Sequence, residues 1–241
     1  MTVVREKTIR ELALENPSAT RIFESLGIDY CCGGNQSLGE ACRNANLSLD
    51  QVLDSLDKAD QADLARHQQR DWQFESLAAL IAHIQNTHHQ YTREEIARLR
   101  PLFEKVCSVH GKNHPELLET HQVFQNLAQE LSTHMMKEEM ILFPYIVRME
   151  AAITRNETIG VAPFGSIHAP VSMMEHEHDS AGNALRAMRQ ATSGYSAPAG
   201  ACASYQTLYK ALAIFEADLH QHIHLENNIL FPRAVAIEQG R

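Results

Sequence analysis

Two stretches of this chain repeat each other at fixed offsets. His134-Met-Met-Lys-Glu138 is followed by Leu142-Phe143-Pro144, and His222-Ile-His-Leu-Glu226 by Leu230-Phe231-Pro232. In both, Glu stands four residues after His and Leu four after Glu, so the three lie on one face of a helix. Apolar neighbours (Met135, Met136 and Ile141 in one copy, Ile223 and Ile229 in the other) turn that face toward a core. An exposed His–Glu pair would be worth only a few tenths of a kcal/mol and needs no such surroundings. Of the 14 His, only these two have Glu at the fourth following position.

The repeat extends backwards. His89 precedes His134 by 45 residues and His178 precedes His222 by 44. At the rise of an α-helix, His89 lies roughly 36 Å before a turn near Asn113 and His134 roughly 31 Å after it, so an antiparallel hairpin brings the two to similar heights. Helical periodicity predicts long helices over 76–107, 115–150, 171–192 and 203–237. They are separated by the break Val109–Pro115, a long crossover at 154–170 with Gly160, Pro163 and Gly165, and a loop at 193–200. Packing two such hairpins gathers four His and two Glu at one level of an all-α four-helix bundle.

Six ionisable groups in an apolar core are costly unless cations accompany them. Two metal ions offset that cost, and a carboxylate has two oxygens with which to link them. Imidazole and carboxylate suit iron, manganese or zinc, and bimetal sites of this kind inside bundles are most familiar as di-iron sites. Six protein ligands leave positions open even when an oxo or hydroxo bridge helps to fill the shells. For His178, inside His-Glu-His-Asp, a solvated polar face is the competing reading. On a helical wheel His88, rather than His89, sits centrally on the apolar stripe. Glu175, Glu177 and Asp179 are candidate acceptors for the second ring nitrogen of a ligating His.

Residues 1–62 read as a small helical domain ahead of a bundle at 71–241. Thr8-x-x-Glu11, Ser37-x-x-Glu40 and Ser48-x-x-Gln51 are capping-box patterns, and Asn16-Pro17 marks a further helix start. A polar stretch from Asp57 to Arg70 reads as a linker that could let this domain move. Between its helices lies Cys31-Cys32-Gly33-Gly34. Adjacent thiols beside two Gly suit redox chemistry or transient metal binding if exposed; the competing reading is two small buried residues at a turn. Five Cys do not form a disulfide framework, the amino terminus lacks the apolar core of a secretory signal, and no apolar run is long enough to span a bilayer. A net charge of −9 without a basic block argues against nucleic acid or an anionic membrane as partner.

Asp29-Tyr30-Cys31-Cys32-Gly33-Gly34 is similar to the small domain of the iron–sulfur cluster repair di-iron proteins, also called repair-of-iron-centres proteins. His134–Pro144, Glu177-His178-Asp179-x-Ala181-Gly182 and His222–Pro232 resemble their hemerythrin-like blocks. The resemblance runs through essentially the whole chain in order. It implies a hemerythrin-like bundle with two iron ions on His89, His134, Glu138, His178, His222 and Glu226, the two Glu bridging. It selects His89 over His88 through the following Arg93-Glu94-Glu95. It further implies a cytoplasmic protein that restores iron–sulfur clusters damaged by nitric oxide or oxidants, with Cys31 and Cys32 taking part. Damaged iron–sulfur proteins would be its clients, nitric oxide or oxygen its ligands, and a homodimer is allowed. The alternative is a hemerythrin-like protein that binds, scavenges or senses nitric oxide or oxygen.

Overall fold

A computed structural model describes residues 6–16, 19–63, 71–158, 160, 162 and 164–240. Among them there is no β-strand, only two isolated bridges, one joining Thr8 to Ser37. The amino-terminal part contains α1 (Ile9–Glu15), α2 (Ala19–Leu26), α3 (Leu38–Asn44) and α4 (Leu49–Asp63). α1 and α3 begin at reciprocal capping boxes: Glu11 N donates to Thr8 Oγ1 while Thr8 N donates to Glu11, and Ser37 and Glu40 do the same. Each box satisfies two amides that the first helical turn would otherwise leave unpaired. Ile9, Phe23, Ile28, Tyr30, Leu38 and Val52 form the core of this part. Pro17, half of the expected helix-start signal, lies outside the described residues, and α2 begins at Ala19.

The expected linker is shorter than the sequence suggests. Helix α4 continues to Asp63, so 57–63 is helical, with Lys58 bonded to Asp54 one turn earlier at 2.6 Å. Residues of fair helix propensity extend a helix whose first turns are anchored by Val52 and Leu56. The rest of the expected linker, 64–70, lies outside the described residues.

Four helical rods follow. The first joins α5 (Leu77–His83), a π-turn at Ile84–His89 and α6 (Gln90–His110). The second joins α7 (Pro115–Lys137), a π-turn at Glu138–Leu142 and α8 (Phe143–Thr154). The third is α9 (His168–Ala191); the fourth joins α10 (Ala203–Leu225), a π-turn at Glu226–Leu230 and α11 (Phe231–Glu238). The expected helices are present, with ends shifted by a few residues.

Two apolar clusters fill the bundle. One contains Leu99, Phe103, Phe124, Leu185, Leu212 and Phe215, and the other Leu80, Phe143, Ile146, Val171, Leu230 and Phe231. Burying each such side chain stabilises the fold by about 1.5–3 kcal/mol. Between the clusters lies a buried polar layer of His89, His134, Glu138, His178, His222 and Glu226.

The amino-terminal part is docked on the bundle. Arg10 Nη2 donates to Asn228 O at 3.0 Å, Asn228 Nδ2 donates to Tyr30 O at 3.1 Å, and His220 Nδ1 lies 2.7 Å from Glu24. Arg186 adds a 3.1 Å contact to Asp29. This contact buries Cys31 and leaves Cys32 half-buried, so the turn is not an exposed loop.

Candidate metal centre

The three π-turns end or begin at site residues. A π-turn widens the helix by one residue, so the side chains beyond it rotate by about 100° relative to an uninterrupted α-helix. The turn at Ile84–His89 therefore carries His89 into the core, where it is fully buried. A wheel drawn for an unbroken helix points His88 there instead. In the other two rods the π-turn starts at the Glu of each repeat and is followed by Phe143-Pro144 or Phe231-Pro232. Proline has no amide to donate, so a place just after a local change of hydrogen-bond register suits it better than a regular helix interior.

The six side chains converge. His89 Nε2 lies 3.1 Å from His222 Nε2, and His178 Nε2 lies 3.0 Å from His134 Nε2. Glu138 Oε2 is 3.4 Å from both His89 and His134. Glu226 Oε1 is 3.0 Å from His222, and its Oε2 is 3.1 Å from His178. Two overlapping four-residue sets result: His89, His222, Glu138 and Glu226, and His134, His178, Glu138 and Glu226. Both glutamates belong to both sets.

Three of the four outer ring nitrogens have partners that orient the inner ones, and the buried Nδ1 of His222 has none. His89 Nδ1 lies 2.7 Å from Glu139 Oε1, His134 Nδ1 2.8 Å from Glu177 Oε2, and His178 Nδ1 2.7 Å from Asn227 Oδ1. Each partner oxygen accepts the Nδ1 proton, which leaves the Nε2 lone pair facing inward. Lone pairs meeting at about 3 Å repel unless a proton or a metal ion lies between them. Two nitrogens each about 2.1 Å from one ion and at a right angle are about 3.0 Å apart, which matches both pairs. Both oxygens of Glu138 and Oε2 of Glu226 are buried with no hydrogen-bond partner. The donor set fits a metal ion at each end and has unused carboxylate oxygens to share between them.

Charge tells the same story. Burial pushes Glu138 up to about 7, and the neighbouring Glu226 charge adds to the rise. Burial also opposes ionisation of Glu226, but His222 and His178 outweigh it and hold that carboxyl well below its usual range. His89 and His178 are resisted by burial yet raised to about 10 and about 9 by the carboxylates. Burial lowers His134 to about 4, helped by repulsion from His178. In this layer protonated imidazoles balance the carboxylates, and metal ions can take the place of those protons.

Glu177 was among the expected acceptors; Glu175 and Asp179 are exposed. The acceptors Glu139 and Asn227 were not expected, although the repeat contains their signal, since each directly follows the shared glutamate. His88 supplies no acceptor to His222: its ring stacks on His222 with centroids 5.7 Å apart, and its Nδ1 lies 3.0 Å from Asp218. Phe143 stacks on His89 and Phe231 on His178, at 5.7 and 6.0 Å. Those two rings give the repeated Leu-Phe-Pro its purpose, covering imidazoles with hydrocarbon. Cys31 and Cys32 stand outside the cluster but close to it, with Cys32 Sγ 3.7 Å from the His178 carbonyl oxygen. The hydrogen bond to the Cys32 thiol, then burial and the Asp29 charge, push the Cys31 thiol well above its ordinary range.

Two family models match the chain. One is the hemerythrin HHE cation binding domain, over residues 80–234; the other is a domain of unknown function, DUF542, over residues 5–60. The chain belongs to the hemerythrin HHE family. Full-length relatives carry more specific names. The iron-sulfur cluster repair protein YtfE of Pectobacterium carotovorum is 39% identical over 236 residues, covering 96% of this chain and 97% of that protein. The probable iron-sulfur cluster repair protein of Haemophilus influenzae is 36% identical over 230 residues, covering 95% and 97%. YtfE of Yersinia pestis is 37% identical over 231 residues, covering 96% and 97%. As a hemerythrin HHE protein the chain has its candidate ligands inside the matched region, and among the described residues no helix is long and apolar enough to cross a membrane.

Proposed function

We propose that this protein repairs iron–sulfur clusters, using two iron ions held in the bundle by His89, His134, Glu138, His178, His222 and Glu226. The observation that carries the reading is the buried layer of imidazoles and carboxylates with orphaned oxygens, in a chain similar along its length to proteins named for this repair. In this reading, residues 1–62 and 71–241 are separate domains that work together. The setting is the cytoplasm under nitric oxide or oxidative stress, and the clients are damaged iron–sulfur proteins.

Bound iron supplies open positions for a diatomic ligand such as nitric oxide or oxygen, and a stock of metal that can be handed on. The protein's part is positional and electrostatic. Glu138 and Glu226, which belong to both four-residue sets, would hold the cations and neutralise their charge. Glu139, Glu177 and Asn227 hold the Nδ1 protons of His89, His134 and His178, so their Nε2 atoms are presented as donors. Phe143 and Phe231 keep water from two of the imidazoles. On one side a cavity of about 380 Å³, lined by His134, Lys137, Glu177 and His178, offers small molecules an approach. Cys31 and Cys32, one peptide carbonyl away from His178, are placed to serve metal or ligand traffic.

The test is iron analysis with Mössbauer spectroscopy on protein purified without oxygen, together with reactivation of a damaged iron–sulfur enzyme. Two irons per chain and reactivation are expected. Two irons that bind nitric oxide without reactivating the enzyme would leave the gas-handling reading in its place.

A further inference from the structure

We propose that Asp29, Cys31 and Cys32 form a second cation site, outside the bundle layer, for a thiophilic divalent ion of the iron(II) or zinc(II) type. The inference stands whether or not the bundle repairs clusters.

The geometry points to it. The two sulfurs are 3.8 Å apart, and Cys31 Sγ is 3.4 Å from Asp29 Oδ1. Two thiolates bound tetrahedrally at about 2.3 Å from one ion are about 3.8 Å apart, and a thiolate and a carboxylate oxygen are about 3.5 Å apart. The sulfur–sulfur pair and the Cys31–Asp29 pair already have that spacing, and all three donors lie within 4.8 Å of one another. A disulfide would need the sulfurs at about 2.05 Å.

The carboxylate is fixed in place beforehand. Asp29 Oδ1 accepts the backbone amides of Cys32 at 2.9 Å and Gly33 at 3.0 Å, and Asp29 Oδ2 faces Arg186. A side chain at position 33 would put its Cβ 2.9 Å from the Asp29 carbonyl oxygen, so glycine is what permits this tight turn. The fourth face of the site is the bundle itself. The His178 carbonyl oxygen lies 3.7 Å from Cys32 Sγ, and at position 182 glycine leaves the helix surface bare beside the same sulfur. Two soft donors with one carboxylate favour iron(II) or zinc(II) over magnesium or calcium, which prefer oxygen. On binding, each thiol loses its proton to solvent and its sulfur bonds to the ion. Two protons leave, no electron moves, and no oxidant or reductant is needed.

The site also touches the first one. Asn227 Nδ2 donates to the Cys31 carbonyl at 3.3 Å while Asn227 Oδ1 accepts from His178 Nδ1. An ion held by the thiols would sit one residue from a ligand of the bundle centre, a suitable staging position for metal entering or leaving.

The experiment uses the full-length, iron-loaded protein, reduced and free of oxygen, titrated with cadmium(II). Ultraviolet thiolate-to-cadmium absorption is followed, with bundle iron measured in parallel. The expected result is one equivalent of cadmium with a thiolate band, lost when Cys31→Ser and Cys32→Ser are combined and kept when Cys107→Ser and Cys202→Ser are combined. Asp29→Asn retains an oxygen for the two backbone amides and both thiols, and should bind cadmium at least about tenfold more weakly. Bundle iron should be unchanged in every variant. No thiolate band in the wild type, a band that survives loss of Cys31 and Cys32, or wild-type affinity in Asp29→Asn would each overturn the proposal.

Discussion

Replacing Glu139 isolates what an outer partner contributes to the metal centre. Its Oε1 lies 2.7 Å from His89 Nδ1 and 2.6 Å from Arg93 Nη2, with the side chain about one quarter exposed. Glu139→Gln keeps an oxygen that can accept the Nδ1 proton, as Asn227 does for His178, and removes only the charge. Losing an outer partner of a ligating imidazole typically costs 10- to 100-fold in metal affinity, or about 1.4–2.7 kcal/mol. Partial exposure and the retained hydrogen bond place Glu139→Gln near the lower figure. Glu139→Leu removes acceptor and charge together, frees the His89 tautomer, and belongs near the upper one. The assay is iron retention against a graded competing chelator, under anaerobic conditions, for wild type and both variants. The expected order is wild type, then Gln, then Leu. If Glu139→Leu held iron as tightly as wild type, the inward orientation of His89 would not depend on this contact and the reasoning would fail.

Three further outcomes are expected. Glu138→Ala or Glu226→Ala should lower bound iron well below two per chain, and retention of two irons with an unchanged optical spectrum in both would refute the bridging role. His89→Ala should disturb the optical spectrum of the centre while His88→Phe, which keeps a ring against His222, should leave iron content intact; the reverse pattern would restore the unbroken-helix phase. His121, stacked on Phe103 with centroids 4.9 Å apart, is lowered below 6.5 chiefly by burial. Because the unfolded chain takes up that proton first, its contribution to stability is complete above pH 6.5 and declines as pH falls through the folded value. His121→Phe should therefore shrink the drop in thermal midpoint between about pH 7 and about pH 5.5, and an unchanged drop would assign it to other groups.

Much of the architecture was legible because helices obey simple arithmetic. A spacing of four puts His134 with Glu138 and His222 with Glu226 on common faces, and matched arm lengths bring His89 and His178 to the same level. What the arithmetic could not supply was local departure from it. A wheel assumes a constant angle per residue, so the π-turn at Ile84–His89 was invisible and the wheel favoured His88. The roles of Glu139 and Asn227 depend on which rod packs beside which, a tertiary fact, although their shared position in the repeat hinted at it. Burial of Cys31 was likewise set by docking between distant parts of the chain, through Arg10, Tyr30 and Asn228, which no local pattern records. The tail of α4 went unrecognised because 57–63 is as polar as a linker, and polarity alone does not separate a polar helix end from a loop.

Asn227 belongs to two assemblies at once, since one amide group grips His178 and a carbonyl of the docked amino-terminal part. Thermodynamic reciprocity then applies. If docking of residues 6–63 steadies the Asn227 amide and so favours occupancy of the centre by some factor, occupancy must favour docking by the same factor. A client that pulled the amino-terminal part away would weaken the hold on the metal in the same proportion. Emptying the centre would, in turn, make that part easier to lift. Under that condition the Asn227 amide couples docking of the amino-terminal part to occupancy of the centre.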